Sequence, residues 1–117
     1  MIEIIRKIRI NRLKAKALKG NKKAQYRLAC IYNPDSHTTG IDDYKECVKW
    51  TTMLSEAGHA EADYLLACFF NTDGKGVKKD KDRAMFYLIR SANRGFDRAK
   101  IDLTRVQKKS NAKKVGR

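Results

Sequence analysis

An all-α fold, a short solenoid of about six helices in antiparallel pairs, follows from three observations. The pattern Gly-(x)3-Ala-(x)3-Leu occurs at Gly20, Ala24 and Leu28, again at Gly58, Ala62 and Leu66, and a third time at Gly95, Ala99 and Leu103. The starts lie 38 and 37 residues apart, and self-similarity at such a period marks stacked helical units. Between the glycines, apolar residues recur every three or four positions, the period of a helix with one buried face. Gly and Pro break the chain between these periodic stretches, and no stretch alternates as a strand would.

The first helix is expected from Ile2 to Lys19, a run without Gly or Pro. Ile4, Ile5, Ile8, Ala15 and Leu18 fall on one stripe, and Ile2, Ile10, Leu13 and Ala17 on a second side. A helix apolar on two sides packs between neighbours, with Arg and Lys stems reaching outward. Two narrow stripes make a poor face for lying on a membrane. Gly20-Asn21 stops this helix, and Ala24, Leu28, Ala29 and Tyr32 supply the buried face of the second. Asn33-Pro34-Asp35 ends it, because proline cannot continue a helix and disfavours helix at the residue before it. A polar loop over Asp35–Asp42 follows.

The third helix is expected over Asp43–Ala57, with Tyr44, Cys47, Val48, Trp50, Met53 and Leu54 as its apolar residues, and the fourth over His59–Asn71. Thr72–Lys79 is a loop with two glycines, and Asp80 is placed to cap a fifth helix ending near Arg94. The sixth runs to about Lys108, and the tail Lys109–Arg117, without an apolar period, is expected to be disordered. In domain terms this gives one unit over 1–108, divided into a flanking helix 1–19, repeats 20–57 and 58–94, and a closing helix 95–108.

Aligning the glycines aligns more than glycine: Tyr32 falls on Phe70, Trp50 on Tyr87, and Cys30 on Cys68. These residues resemble the Sel1-like repeat, a relative of the tetratricopeptide repeat, with the pattern A-x3-L-G-x2-Y followed by G-x-G-V-x2-D-x2-K-A-x2-W-Y-x2-A-A-x2-G. The match is fullest at Gly74, Gly76, Val77, Asp80, Arg83, Ala84, Tyr87, Leu88, Ser91, Ala92 and Gly95. The preceding copy keeps Asp43, Trp50, Leu54, Ser55 and Gly58. It departs at Gly40-Ile41, where the family has Gly-x-Gly-Val, and Ala29 and Ala67 stand where the family prefers Gly. The resemblance covers about residues 20–104. It implies a right-handed superhelix and a role in mediating protein complexes.

The chain has 117 residues and a net charge of +14, a field that draws acidic partners. Residues 1–27 carry ten Lys and Arg against Glu3 alone, residues 28–72 two against seven acids, and 100–117 seven against Asp102. Both ends are basic and the middle acidic. Cys30, Cys47 and Cys68 have neither zinc nor disulfide-framework spacing. Equivalent residues in successive repeats stand about 9–10 Å apart, beyond the roughly 7 Å Cα limit of a disulfide, so Cys30 and Cys68 are expected to stay unpaired. Secreted relatives of the resembled family pair cysteines within each repeat, and this chain does not. With no apolar run long enough to span a bilayer and no signal-peptide core, the expected setting is cytoplasmic.

No catalytic constellation stands out. His37 and His59 lack a nucleophile partner, and Glu61 and Asp63 beside His59 read as acids favoured at a helix start. Gly74-Lys75-Gly76-Val77-Lys78-Lys79 lacks the order and preceding strand of a phosphate loop. An enzyme is not expected, nor a cofactor or metal. What remains is surface. The inner face of such a stack is lined by the first helix of each pair, which nominates Lys23, Tyr26, Arg27, Glu61, Asp63, Tyr64, Arg98 and Lys100 for a protein partner with an acidic surface. Tyr26 and Tyr64, being equivalent, could instead pack between repeats. The alternative is nucleic acid, held by Arg6, Arg9, Arg12, Lys16 and Lys19 and by Lys113 and Lys114 of the tail. Weak self-association, basic end on acidic middle, is a third expectation beside a monomer.

Overall fold

The computed structural model describes residues 1–36 and 43–115, with the backbone alone for 36 and 112–115. Six α-helices follow in order: α1 Ile2–Leu18, α2 Lys22–Tyr32, α3 Tyr44–Glu56, α4 Ala60–Phe70, α5 Lys81–Asn93 and α6 Asp97–Val115. A single 3-10 turn occupies Pro34–Ser36, and there is no strand among the described residues. Each helix packs on the next in sequence, so the molecule is a rod of 65 × 25 × 20 Å. The fold is the short α-solenoid that the repeat spacing predicts. No helix among the described residues is long and apolar enough to cross a membrane.

The repeated sequence makes repeated joints. Gly20, Gly58 and Gly95 turn the chain with φ of 97°, 95° and 97°, a left-handed conformation that glycine alone adopts without steric cost. Three residues before each stands a small buried one: Ala17, Ser55 and Ala92. At the other joint, the Asp43 N–H donates to the Tyr32 carbonyl and the Asp80 N–H to the Phe70 carbonyl, both at 2.8 Å. The same two aspartates then cap α3 and α5, accepting from Lys45 and Glu46 and from Arg83. Thus both loops end in one latch, although Gly40 and Ile41 of the first lie outside the described residues, as does His37.

The second loop is pinned down. Lys75 Nζ donates to Asp35 at 3.1 Å and to the Tyr44 hydroxyl at 2.7 Å. Gly76 lies against the start of α3, where a Cβ would come within 2.8 Å of the Tyr44 carbonyl carbon and oxygen. The Gly-x-Gly element is therefore a contact between successive repeats, and its lysine is engaged in that contact.

The core divides along the same lines. Leu28 and Ala29 of α2 meet Trp50 and Leu54 of α3 and Ala62 of α4. Cys47 joins Leu66, Phe69 and Phe70 of α4 and Ala84 of α5. Phe70 stacks on Tyr87 at 5.7 Å. The Trp50 indole donates to Glu46 at 3.0 Å, so its burial leaves no unmet donor.

Between the repeats sits a buried carboxylate. Asp63 is fully buried and accepts from Arg94 at 2.7 Å, from Arg90 at 3.1 Å and from the Ser55 hydroxyl. Arg94 also donates to the Ser55 carbonyl at 2.8 Å, and Arg90 to the Ser55 hydroxyl. Three helices, α3, α4 and α5, are thereby joined at one side chain.

Two expectations are corrected. The first helix does not pack between neighbours. It rests on α2 through Ile10, Leu13 and Ala17, and Ile2, Ile4, Ile5, Ile8 and Leu18 remain 46–78% exposed. The cause is its terminal place in the stack, where one face has a neighbour and the other has none among the described residues. The sixth helix does not stop at Lys108 but continues to Val115. Between Gly95 and Gly116 there is no breaker, and good helix formers carry a helix onward even where polar on all sides. Residues 116 and 117 of the expected disordered tail lie outside the described residues.

Two substitutions test these joints. Asp63→Ala should lower the unfolding free energy by about 3 kcal/mol, since it strands two arginines at a desolvated site. Gly76→Ala should cost about 2 kcal/mol, because its φ is wrong for alanine and its Cβ meets backbone. Urea denaturation measures both, and losses below about 0.5 kcal/mol, the range of ordinary surface changes, would contradict these assignments.

Candidate interaction surface

The first helices of the pairs, α2, α4 and α6, lie along one face. Tyr26 and Tyr64 occupy equivalent places on it, and each rests on the residue after the next turn glycine. The ring centroids are 5.8 Å apart for Tyr26 and His59 and 5.2 Å for Tyr64 and Phe96. Both tyrosines therefore pack between repeats, yet Tyr26 stays 39% exposed. The Tyr64 hydroxyl donates to Asp102 at 2.6 Å. Burial and this bond to a carboxylate, which raises the cost of ionising, push the Tyr64 phenol up to about 12. Glu61, then the neighbouring thiol and burial, raise the Tyr26 phenol.

Of the residues nominated from sequence, Lys23, Tyr26, Arg27 and Glu61 come together, lining one shallow depression with Lys22 and His59. Arg98 stands beside Tyr64. Lys100 is exposed and 3.9 Å from Asp97. Asp63 is corrected: it lies inside the molecule, paired with Arg90 of α5 and with Arg94 just after that helix, and it is not part of the surface. Arg6, Arg9, Arg12, Lys16 and Lys19 are all exposed on or just after α1. Lys113 and Lys114 fall in the last turns of α6, where only the backbone is described.

Two recesses on this face went unseen in the sequence. One, about 490 Å³, lies between α4 and α6 with α5 as its floor, lined by Cys68, Asn71, Met85, Leu88, Arg105 and Val106 among others. The other, about 180 Å³, lies between α2 and α4 with α3 behind, and includes Cys30, Asn33, Cys47, Leu54 and Leu65. They are the same place in successive repeats: Tyr26, Ala29, Cys30 and Asn33 line one where Tyr64, Ala67, Cys68 and Asn71 line the other. Met85 and Leu88 could have been suspected, being a second apolar pair on α5 beyond those that face α4. Nothing local distinguished their open side from a buried one.

The surroundings of the thiols favour the protonated form. Burial pushes Cys47 up to about 11 and raises Cys30 and Cys68, only partly offset by their tyrosine neighbours. Cys30 and Cys68 are exposed, and Cys47 is buried. Among the described residues, no group of three His, Cys, Asp or Glu side chains could hold a metal ion.

The Sel1 repeat family model matches the chain twice, at residues 22–59 and 60–96, together more than half of its length. No curated protein and no solved structure matches it.

Titration with a disulfide-exchange reagent at pH 8 should give two reacting thiols, Cys30 and Cys68, each slower than free cysteine, because a raised pKa leaves less thiolate at that pH. Their rates should climb as pH rises towards the raised values. Cys47 should react only on unfolding, and a fast third thiol in the native protein would contradict its burial.

Proposed function

The chain belongs to the Sel1 repeat family, whose repeats mediate protein–protein interaction, and from that premise we propose that it is a non-enzymatic adaptor or inhibitor of an acidic partner. It holds that partner through the face of α2, α4 and α6 and through its basic ends. The observation that carries this reading is the pair of equivalent apolar recesses with basic residues at their rims. Lys81 and Arg105 border the larger one beside Asp102, and Lys22, Lys23 and Arg27 stand in the depression that shares Tyr26, His59 and Glu61 with the smaller one.

The geometry favours an extended segment. Recesses one repeat apart are separated by about 10 Å, and a strand advances about 3.3 Å per residue. Two apolar anchors three residues apart, with acidic residues between and beyond them, would reach both. The affinity would come from the anchors filling the recesses, since rim charges chiefly govern encounter rate and register. Such a protein would work in a reducing, cytoplasmic setting that keeps its three cysteines as thiols.

Nucleic acid is the second reading, favoured by the extension of α6. Its helix carries Arg98, Lys100, Arg105, Lys108 and Lys109 against Asp97 and Asp102 before the backbone-only turns that hold Lys113 and Lys114. Neutralising six to ten phosphates would make affinity fall by about 10³–10⁵ between 50 and 200 mM salt.

Affinity purification from the native cell with and without nuclease, repeated with Met85→Glu and Arg27→Glu, separates the two. The adaptor reading expects a nuclease-resistant protein partner that both variants lose while their helicity by circular dichroism is kept. Capture unchanged by both variants, or abolished by nuclease, would overturn it.

A further inference from the structure

The three helices that precede the turn glycines can be compared position by position, because each glycine has nearly the same φ and donates to the carbonyl three residues before it. Three residues before the glycine, Ala17, Ser55 and Ala92 are all buried. Four, eight and eleven residues before it the copies diverge. In α3 these positions are Leu54, Trp50 and Cys47, each no more than 2% exposed. In α5 they are Ser91 and Ala84, both buried, and the half-buried Tyr87. In α1 they are Lys16, Arg12 and Arg9, all exposed.

Those positions have a known use in the complete repeat. Trp50 and Leu54 cluster with Leu28 and Ala29, and Ala84 with Leu66 and Phe70, so these positions belong to the seam between a second helix and the first helix of its own pair, while Cys47 also reaches Leu66 of the next pair. Among the described residues no first helix covers α1. Its open seam carries three cations at i, i+3 and i+7, one face of a helix and about 10 Å long. Ile5 lies four and seven residues before Arg9 and Arg12, and Ile8 four before Arg12, so both flank that row; each is 46% exposed.

We propose that the open seam of α1 is a docking site: an acidic amphipathic helix of a partner lies against Arg9, Arg12 and Lys16, in the place that a first helix takes in the complete repeats. The proposal rests on the adaptor reading above, and gives the partner's basic-end contact a shape. The seam asks for carboxylates at i, i+3 or i+4, and i+7, opposite Arg9, Arg12 and Lys16, with apolar residues beside them for Ile5 and Ile8. Arginines suit this, since a guanidinium engages a carboxylate in two parallel bonds. A further repeat of this same kind does not fit, because its apolar seam would meet cations. A second copy does not supply the helix either. The chain's α2 is basic, with Lys22, Lys23 and Arg27, and in α4 Glu61 is half-buried and Asp63 buried. A lipid surface is disfavoured because Arg12 interrupts the stripe between Ile8 and the exposed Leu18, whereas a helix lying in a bilayer needs an apolar face along its length.

The test uses a labelled synthetic helix with Glu at i, i+3 and i+7 and Leu beside them, and a scrambled peptide of equal composition. Each is titrated onto the full chain by fluorescence anisotropy at 150 mM salt. The helix should bind at least tenfold tighter than the scramble. Arg9→Glu with Arg12→Glu and Lys16→Glu should weaken it more than tenfold, and Ile5→Ser with Ile8→Ser about tenfold. Met85→Glu, on the other face, should leave it unchanged. All five α1 positions are exposed, so circular dichroism should show the fold intact. Equal binding of the scramble, or indifference to the isoleucine pair, would overturn the proposal in favour of general charge attraction. Phosphatidylserine vesicles or a 20-nucleotide single strand binding wild type through the same five residues, with no binding of the helix, would overturn it in favour of those surfaces. The adaptor reading fails separately, through Met85→Glu and nuclease; with capture lost on Met85→Glu and the α1 variants silent, it stands and the α1 site falls.

Discussion

The carboxylate of Asp63 is the constraint on which the two-repeat body depends. Burying an anion is costly unless it is paired and fully hydrogen-bonded. Here Arg90, Arg94 and the Ser55 hydroxyl meet it, and the arrangement exists only when α3, α4 and α5 hold one relative position. The equivalent residue of the first repeat is Gln25, also buried, whose amide donates to the Ala17 carbonyl at 2.9 Å. Its Oε1 finds no hydrogen-bond partner among the described residues. The difference has a cause. The α3 residues in register with Arg90 and Arg94 are Met53 and Ala57, so a charged residue at Gln25 would have no counter-ion. One position thus holds a neutral amide at the first joint and an ion at the second, according to what the neighbouring helix offers.

That asymmetry explains which parts of the fold were legible in the sequence. Periodicity located all six helices, because Ala24, Leu28, Ala62, Leu66 and their neighbours are buried by local geometry that any stacked pair shares. The turn glycines and the Asp80 cap are equally local. The fate of Asp63 was not legible: as an acid in the first turn of α4 it read as a solvated, dipole-favoured residue, and only two arginines about thirty residues later turn it inward. The exposed half of α1 was missed for a related reason. Two apolar stripes state that a helix can pack on two sides, while its place at the end of the stack leaves one side open. The continuation of α6 past Lys108 is not legible in an apolar period, which the segment lacks; an unbroken run of good helix formers carries it.

The candidate surface divides in the same manner. Lys23, Tyr26, Arg27 and Glu61 were found because the first-helix face follows from the repeat alone. The recesses were not, since their floors come from Met85, Leu88 and Leu54 on the second helices and their volume depends on how far successive pairs splay. The clamp at Asp63 fixes the relative position of α3, α4 and α5, which supply the floor of each recess and the wall between them. Burial raises the Cys47 thiol and the Tyr64 phenol above their ordinary range.

Native-state hydrogen exchange tests whether Asp63 makes one cooperative body of the two repeats. If it does, the slowest amides of α2 and α3 and those of α4 and α5 should open with the same free energy, within about 1 kcal/mol, as members of one unfolding unit. Opening of the α2–α3 pair that is cheaper by about 3 kcal/mol or more, with α4–α5 still protected, would contradict the account.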